Sequence, residues 1–389
     1  MNQATETYLQ VGSAGISAKR FFTFAEPPHE LVLESGARLG PVTVAYETWG
    51  RLTSARDNAV LVCHAFSGDS HAAGFSPDDQ PGAKPGWWDS LIGPGKGLDT
   101  NRYFVICANI LGSCSGSTGP SSINPATGTP YGPEFPMVTI GDMVETQRAL
   151  LDHLGIDKLH GVIGGSVGGM QVLEWCVRYP QRVRAAIPVA TTMRHSALAI
   201  AFNEVARQAI MTDPRWQRGN YYDSEAPHLG LAVARMIGHV TYLSDEALRR
   251  KFGRRLQDRD NFSYGLDVDF QVESYLRHQG SKFVRRFDAN SLLYITKAAD
   301  YFDLVDRKEP SRSIRDLAGA ATRFLVISYT SDWLYPTYQS KELVKALKRV
   351  GLNVSFCEIE ADCGHDAFLI PDKRLGELVG GFLGSVHRY

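Results

Sequence analysis

The chain has 389 residues, 43% of them apolar and 21% charged, with a formal net charge of −1. That length suffices for one large domain or two smaller ones with ample core, and the near-neutral balance gives no electrostatic case for nucleic acid or an anionic membrane as the main partner. No run approaches the ~20 apolar residues of a membrane-spanning helix, and six scattered cysteines without a CxxC pattern fit a reducing compartment.

Residues 1–27 are polar, lack the continuous hydrophobic core of a leader peptide, and are expected to be loosely held; a cytoplasmic protein is expected. From Glu30 the stretches LVLESG and VTVAYETWG alternate apolar and polar residues, like antiparallel strands joined at a glycine turn. Asn58–Ala65 is a continuous apolar run ending in small and polar residues, the pattern of a buried strand. The loop that follows, 66–97, is long and rich in Gly, Pro, Asp and His, which points to function. Tyr103–Ala108 is a second buried strand. It leads into a Gly/Ser run at 112–120 that lacks a GKS or GKT ending and reads as a loop near the site.

An amphipathic helix with Met143, Leu150 and Leu151 inward is expected over 139–154, and further strands over 184–189, 322–329 and 354–359. Helices are expected over 339–350 and 372–382. Between Ser196 and about Asp300 every run is helical and charged, and this stretch is expected to form an inserted lid. The Arg249-Arg250-Lys251 and Arg254-Arg255 clusters read as solvated faces. The β-α-β alternation predicts a mostly parallel, doubly wound sheet, with 1–192 and 301–389 forming the core and 193–300 the lid.

The chemistry concentrates at Leu159–Arg178, where an apolar run meets Gly164-Gly165-Ser166-Val167-Gly168 and then an amphipathic run. Strand, Gly-x-Ser-x-Gly and helix in that order are the nucleophile elbow of the α/β-hydrolase fold. A serine needs a base, and the base an orienting carboxylate. In this fold both follow in loops after later strands. Strand 324–329 ends at Asp332 and strand 354–359 leads to His365, which makes Ser166, Asp332 and His365 the candidate triad. His64 and His71 are rival bases, better suited to ordering their loop, while Asp362 and Asp366 compete with Asp332 but flank the base too closely along the chain. The backbone N–H groups of Val167 and Phe66 are the candidate oxyanion donors. No recognisable metal-ligand spacing occurs, so neither metal nor cofactor is expected.

The motifs GGSVGGMQ, HAFSGDSHAAG, KPGWWD, GSTGPSSINPATG, AFNEVARQAI, ARMIGHVTYLS, RFDANS, SDWLYP and GHDAFL together resemble the homoserine O-acyltransferases of methionine biosynthesis, from about Pro28 to the C-terminus. The resemblance implies ping-pong transfer from acyl-CoA to the homoserine hydroxyl, with coenzyme A as substrate, and a homodimer formed through the helical region. It implies that Arg235 and Asp366 bind homoserine, a zwitterion that needs one charge of each sign. Succinyl-transferring relatives carry an arginine where this chain has Leu334, so acetyl-CoA is the expected donor and succinyl-CoA the alternative. The Asp69-Ser70-His71 segment also varies among relatives and leaves the donor open. A serine esterase or thioesterase on the same triad, or a non-catalytic scaffold, are the remaining readings.

Overall fold

The computed structural model describes residues 12–80, 82–305 and 313–386. The six apolar runs read as buried strands form the parallel part of an eight-stranded sheet. In chain order its strands are β1 (Arg20–Phe24), β2 (Val42–Trp49), β3 (Ala59–Cys63), β4 (Phe104–Ala108), β5 (Gly161–Gly165), β6 (Ala185–Val189), β7 (Arg323–Tyr329) and β8 (Asn353–Ile359). They lie side by side as β1-β2-β4-β3-β5-β6-β7-β8. From β4 to β8 neighbours are parallel, and β2 runs antiparallel to both β4 and β1. The chain leaves β3 toward β4 on one side and returns to β5 on the other, so the loops after β3 and β5 diverge at a topological switch point, where sites form in such sheets.

The helices are α1 (Ile140–His153), α2 (Val167–Arg178), α3 (Ala197–Met211), α4 (His228–Tyr242), α5 (Asp245–Lys251), α6 (Gln271–Phe283), α7 (Ala289–Asp300), α8 (Thr337–Arg349) and α9 (Lys373–Gly384). Thr139 caps α1 in a reciprocal bond with Asp142, and Met143, Leu150 and Leu151 are buried as the periodicity predicts. Two apolar layers cover the sheet. Leu61 and Cys63 face one, with Trp175 and Val172 of α2. Val60 and Val62 face the other, with Trp88 and with Val379 and Leu383 of α9. Period-two alternation along a strand covered on both faces produces this division. Residues 193–300 carry α3 to α7 between β6 and β7, and among the described residues their only β-pairings are the isolated bridges Leu256–Phe270 and Arg194–Asp303. No helix of the described residues is long and apolar enough to cross a membrane.

Two expectations are corrected. Only Leu31–Val32 and Arg38–Leu39 pair across the Gly36 turn; Val42–Trp49 instead joins the main sheet. Its outer partner is Arg20–Phe24, within the stretch expected to be loose. Phe22 and Phe24 pack against the core from alternate positions of β1, and this half-buried edge is what orders the segment. Residues 1–11 lie outside the described residues.

Candidate active site

The elbow forms because the backbone passes where side chains would not fit. Ser166 has φ 59° and ψ −125°, a conformation that costs about 1–3 kcal/mol and persists only where its surroundings enforce it. Its N–H donates to Val189 O at 3.0 Å, and its carbonyl accepts from Thr191 Oγ1 at 2.7 Å. A Cβ on Gly168 would collide with the Cys63 carbonyl, and one on Gly165 with the Phe368 ring. These two glycines let α2 and the loop after β8 close on the serine.

Asp332 follows β7 and is buried. Its Oδ2 lies 2.7 Å from His365 Nδ1, and its Oδ1 accepts the N–H groups of Leu334 at 3.0 Å and Tyr335 at 2.8 Å. Ser331 Oγ accepts the Gly364 N–H at 2.9 Å, joining the two loops. Tyr335 lines the same cavity as Ser166, with its ring centroid 5.0 Å from that of His365. Phe368 packs on Gly165 and lies 5.6 Å from the His365 ring. Ser166, Asp332 and His365 are therefore brought together, all at most 6% exposed. Burial opposes a charged His365, but the charge and hydrogen bond of Asp332, with the charge of Asp366, outweigh it and raise the imidazole above its ordinary value. A carboxylate on Nδ1 fixes the proton there and leaves Nε2 as the basic nitrogen.

Ser166 opens into a narrow, largely apolar cavity of about 70 Å³, walled by Phe66, Val167, Phe202, Tyr242, Leu334 and Tyr335 among others. Val167 is the first residue of α2, so its N–H has no acceptor within the helix. Arg235 and Asp366 are not on this wall. Both act electrostatically on Tyr242. The Arg235 guanidinium lies 4.7 Å from the Phe283 ring and 5.7 Å from the Tyr242 ring, and its Nη1 donates to Ser67 Oγ at 3.3 Å. Burial raises the Asp366 carboxyl against the pull of His365 and Arg235.

The rival residues have other partners. His64 Nε2 accepts the Ile110 N–H at 3.0 Å and Nδ1 donates to Ala65 O at 2.8 Å, so both nitrogens order the loop. His71 is paired with Glu47 at 2.8 Å, and Asp362 with Arg250. The Gly/Ser run also serves the fold, since Ser117 Oγ accepts the Ala45 N–H at 3.0 Å and donates to Asn109 O at 2.6 Å, joining β2 to the end of β4. Among the described residues no group of three His, Cys, Asp or Glu could hold a metal ion, and the six cysteines are free thiols. Reading the sequence missed Tyr335, Tyr242 and His195. The first two stand inside the quoted motifs SDWLYP and ARMIGHVTYLS, whereas His195 carries no local signal.

A family model described as the α/β hydrolase fold matches residues 58–372. A homoserine O-acetyltransferase of Desulfotalea psychrophila is 67% identical over 375 residues, covering 96% of each chain. The crystal structure of the homoserine O-acetyltransferase of Bacillus anthracis is 31% identical, covers 95% of this chain and 98% of its own, and superposes with a TM-score of 0.87. The crystal structure of an esterase, also 31% identical, covers 94% of this chain and 100% of its own, with a TM-score of 0.85. The sheet order, the serine on its elbow and these likenesses together show that the chain belongs to the homoserine O-acetyltransferase family, acyltransferases built on the α/β hydrolase fold.

Proposed function

We propose that the chain transfers an acetyl group from acetyl-CoA to the hydroxyl of L-homoserine in two half-reactions through an acyl-Ser166 intermediate. Ser166 attacks the thioester carbonyl while His365 Nε2 takes its proton, and the Val167 and Phe66 N–H groups hold the oxyanion. Coenzyme A leaves with that proton. The homoserine hydroxyl then gives its own proton to His365 and takes the acetyl group, restoring Ser166. Arg235 holds the homoserine carboxylate and Asp366 its ammonium. Neither metal nor bound cofactor has a part, and the cytoplasm, where acyl-CoA is at hand, is the working compartment.

The observation that carries the choice of donor is Leu334, 8% exposed on the wall of the serine cavity. An apolar side chain there suits a methyl group and offers nothing to the second carboxylate of a succinyl group. Coenzyme A release, followed spectrophotometrically, is expected to be homoserine-dependent and faster with acetyl-CoA than with succinyl-CoA. A preference for succinyl-CoA would reassign the donor. Acetate released equally fast without homoserine would make the enzyme an esterase, the activity of one structural neighbour.

The enzyme works as a homodimer in this reading. Leu198 and Val205 on α3, and Leu229, Val233 and Val240 on α4, are each at least 40% exposed. Their spacings of seven, and of four and seven, put each set on one helix face, and an apolar face of this kind marks an interaction surface. Light scattering is expected to give twice the 42.9 kDa chain mass, and Val233→Glu to shift the mass toward the monomer. A parent enzyme that stays monomeric at micromolar concentration would sink this assignment.

A further inference from the structure

Two arginines converge on the loop that follows β3. Arg235 of α4 donates from Nη1 to Ser67 Oγ at 3.3 Å. Arg286, in the turn between α6 and α7, donates from Nη1 to the Ser67 carbonyl at 3.0 Å. Both guanidiniums also lie against one ring, 4.7 Å and 5.1 Å from the Phe283 centroid. Ser67 adjoins Phe66, which walls the serine cavity. Among the described residues neither arginine is ion-paired; Asp69 acts on Arg286 and Asp366 on Arg235 through space alone. Like charges repel, and Arg286 is exposed enough to carry its charge into water. It lies beside Arg235 instead.

A neighbouring group marks the same place as positive. His239, one turn beyond Arg235 on α4, is 6% exposed, and its Nε2 has no hydrogen-bond partner. Its Nδ1 lies 3.1 Å from the Tyr275 hydroxyl, and Lys251 Nζ lies 4.2 Å from the centroid of that tyrosine. Burial and the charges of Arg235, Lys251 and Arg286 hold the imidazole down at about 3, so it stays neutral. Positive charge without a protein partner, next to the loop that walls the serine cavity, fits an anion that arrives with substrate. Coenzyme A carries its phosphates at the far end of the pantetheine arm from the thioester. The homoserine carboxylate, by contrast, is separated from the reacting hydroxyl by only a short carbon chain. A cation bonded to Ser67 is therefore placed for the carboxylate, whose two oxygens can accept from two guanidiniums at once.

We propose that Arg286 is a second arginine of the acceptor site, clamping the homoserine carboxylate together with Arg235 and so selecting acceptors that carry that charge. The proposal rests on homoserine being the acceptor, with its carboxylate at Arg235. The test compares L-homoserine with L-homoserinamide, which keeps the shape of the acceptor without its negative charge, using the full-length enzyme and saturating acetyl-CoA. The parent should favour homoserine. Arg286→Gln is expected to lower kcat/KM for homoserine about tenfold, the effect of one hydrogen bond to a charged group, and to change it by less than about threefold for the amide. Arg286→Lys, which retains the charge, should keep most of the preference. Arg235→Gln is the control. A preference lost in Arg235→Gln but kept in Arg286→Gln overturns this inference alone. A preference kept in both, or absent from the parent, overturns the assignment of the carboxylate to Arg235 as well. Equal losses on the two acceptors would mean that Arg286 only braces the Ser67 loop, and a raised KM for acetyl-CoA with the preference intact would mean that it holds the phosphates of coenzyme A; either result overturns the proposal.

Discussion

Ser166→Ala is expected to abolish turnover, with kcat for homoserine-dependent coenzyme A release falling by a factor on the order of 10⁴–10⁶, as when the nucleophile of a catalytic triad is removed. The substitution deletes one oxygen and leaves the elbow intact. The Ser166 N–H bond to Val189 and the Thr191 bond to the Ser166 carbonyl are both backbone interactions on residue 166 and survive the change. Alanine tolerates φ 59° no worse than serine does, so the melting temperature should hardly move. No neighbour can take over the role. The other polar groups on the cavity wall, such as Tyr335 and His195, are bonded to one another, and burial raises the Tyr335 phenol far above its ordinary value. Intact-mass measurement after mixing with acetyl-CoA should find acetylated parent protein and no acetylated variant. Turnover above a residual level in the variant would place the nucleophile elsewhere.

Asp332→Asn should cost on the order of 10⁴ in kcat while leaving the fold in place. The reason lies in how the carboxylate divides its oxygens. Oδ1 accepts two backbone N–H groups, from Leu334 and Tyr335, and Oδ2 faces His365 Nδ1. An asparagine can keep the two backbone bonds only by placing its carbonyl at Oδ1, which turns its NH₂ toward the imidazole. His365 Nδ1 must then accept, the ring proton moves to Nε2, and the base has no lone pair for the serine. The pH dependence provides a second readout. His365 acts as a base only when neutral, and Asp332 contributes to raising its pKa above 6.5. Acylation by the parent enzyme should therefore decline as pH falls through a value above 6.5. In Asp332→Asn the residual activity should persist to lower pH, because the charge that favoured the imidazolium is gone. An acidic limb at the same pH in both enzymes would mean that another group controls it.

Much of the site is legible in the sequence because its signals are local. The glycines around Ser166 are dictated by the collision of backbone with any larger residue at 165 and 168. Asp332 and His365 each follow a short apolar run, and in a parallel sheet the loops after neighbouring strands share one edge. The strands β7 and β8 are indeed adjacent and parallel. The edge strand Arg20–Phe24 escaped because five residues of mixed character take their order from a partner strand more than fifteen positions along the chain, and no local period announces such a partner. His64 lost its rival status through a bond from Ile110, 46 residues away.

By itself the sequence determined the order of the six parallel strands, the elbow, the three candidate catalytic residues and the family resemblance. All of these follow from residue type and spacing within a few turns of chain. Tertiary structure alone decided which polar groups line the serine's cavity. It put His195 against Tyr335 across 140 positions and His195 against Asp300 across 105. It also left Arg235 and Asp366 off the wall of that cavity. The physical reason is the directionality of hydrogen bonds and charges. Hydrophobic periodicity says that a face is buried, but which donor meets which acceptor is settled only when helices distant in sequence close over the sheet.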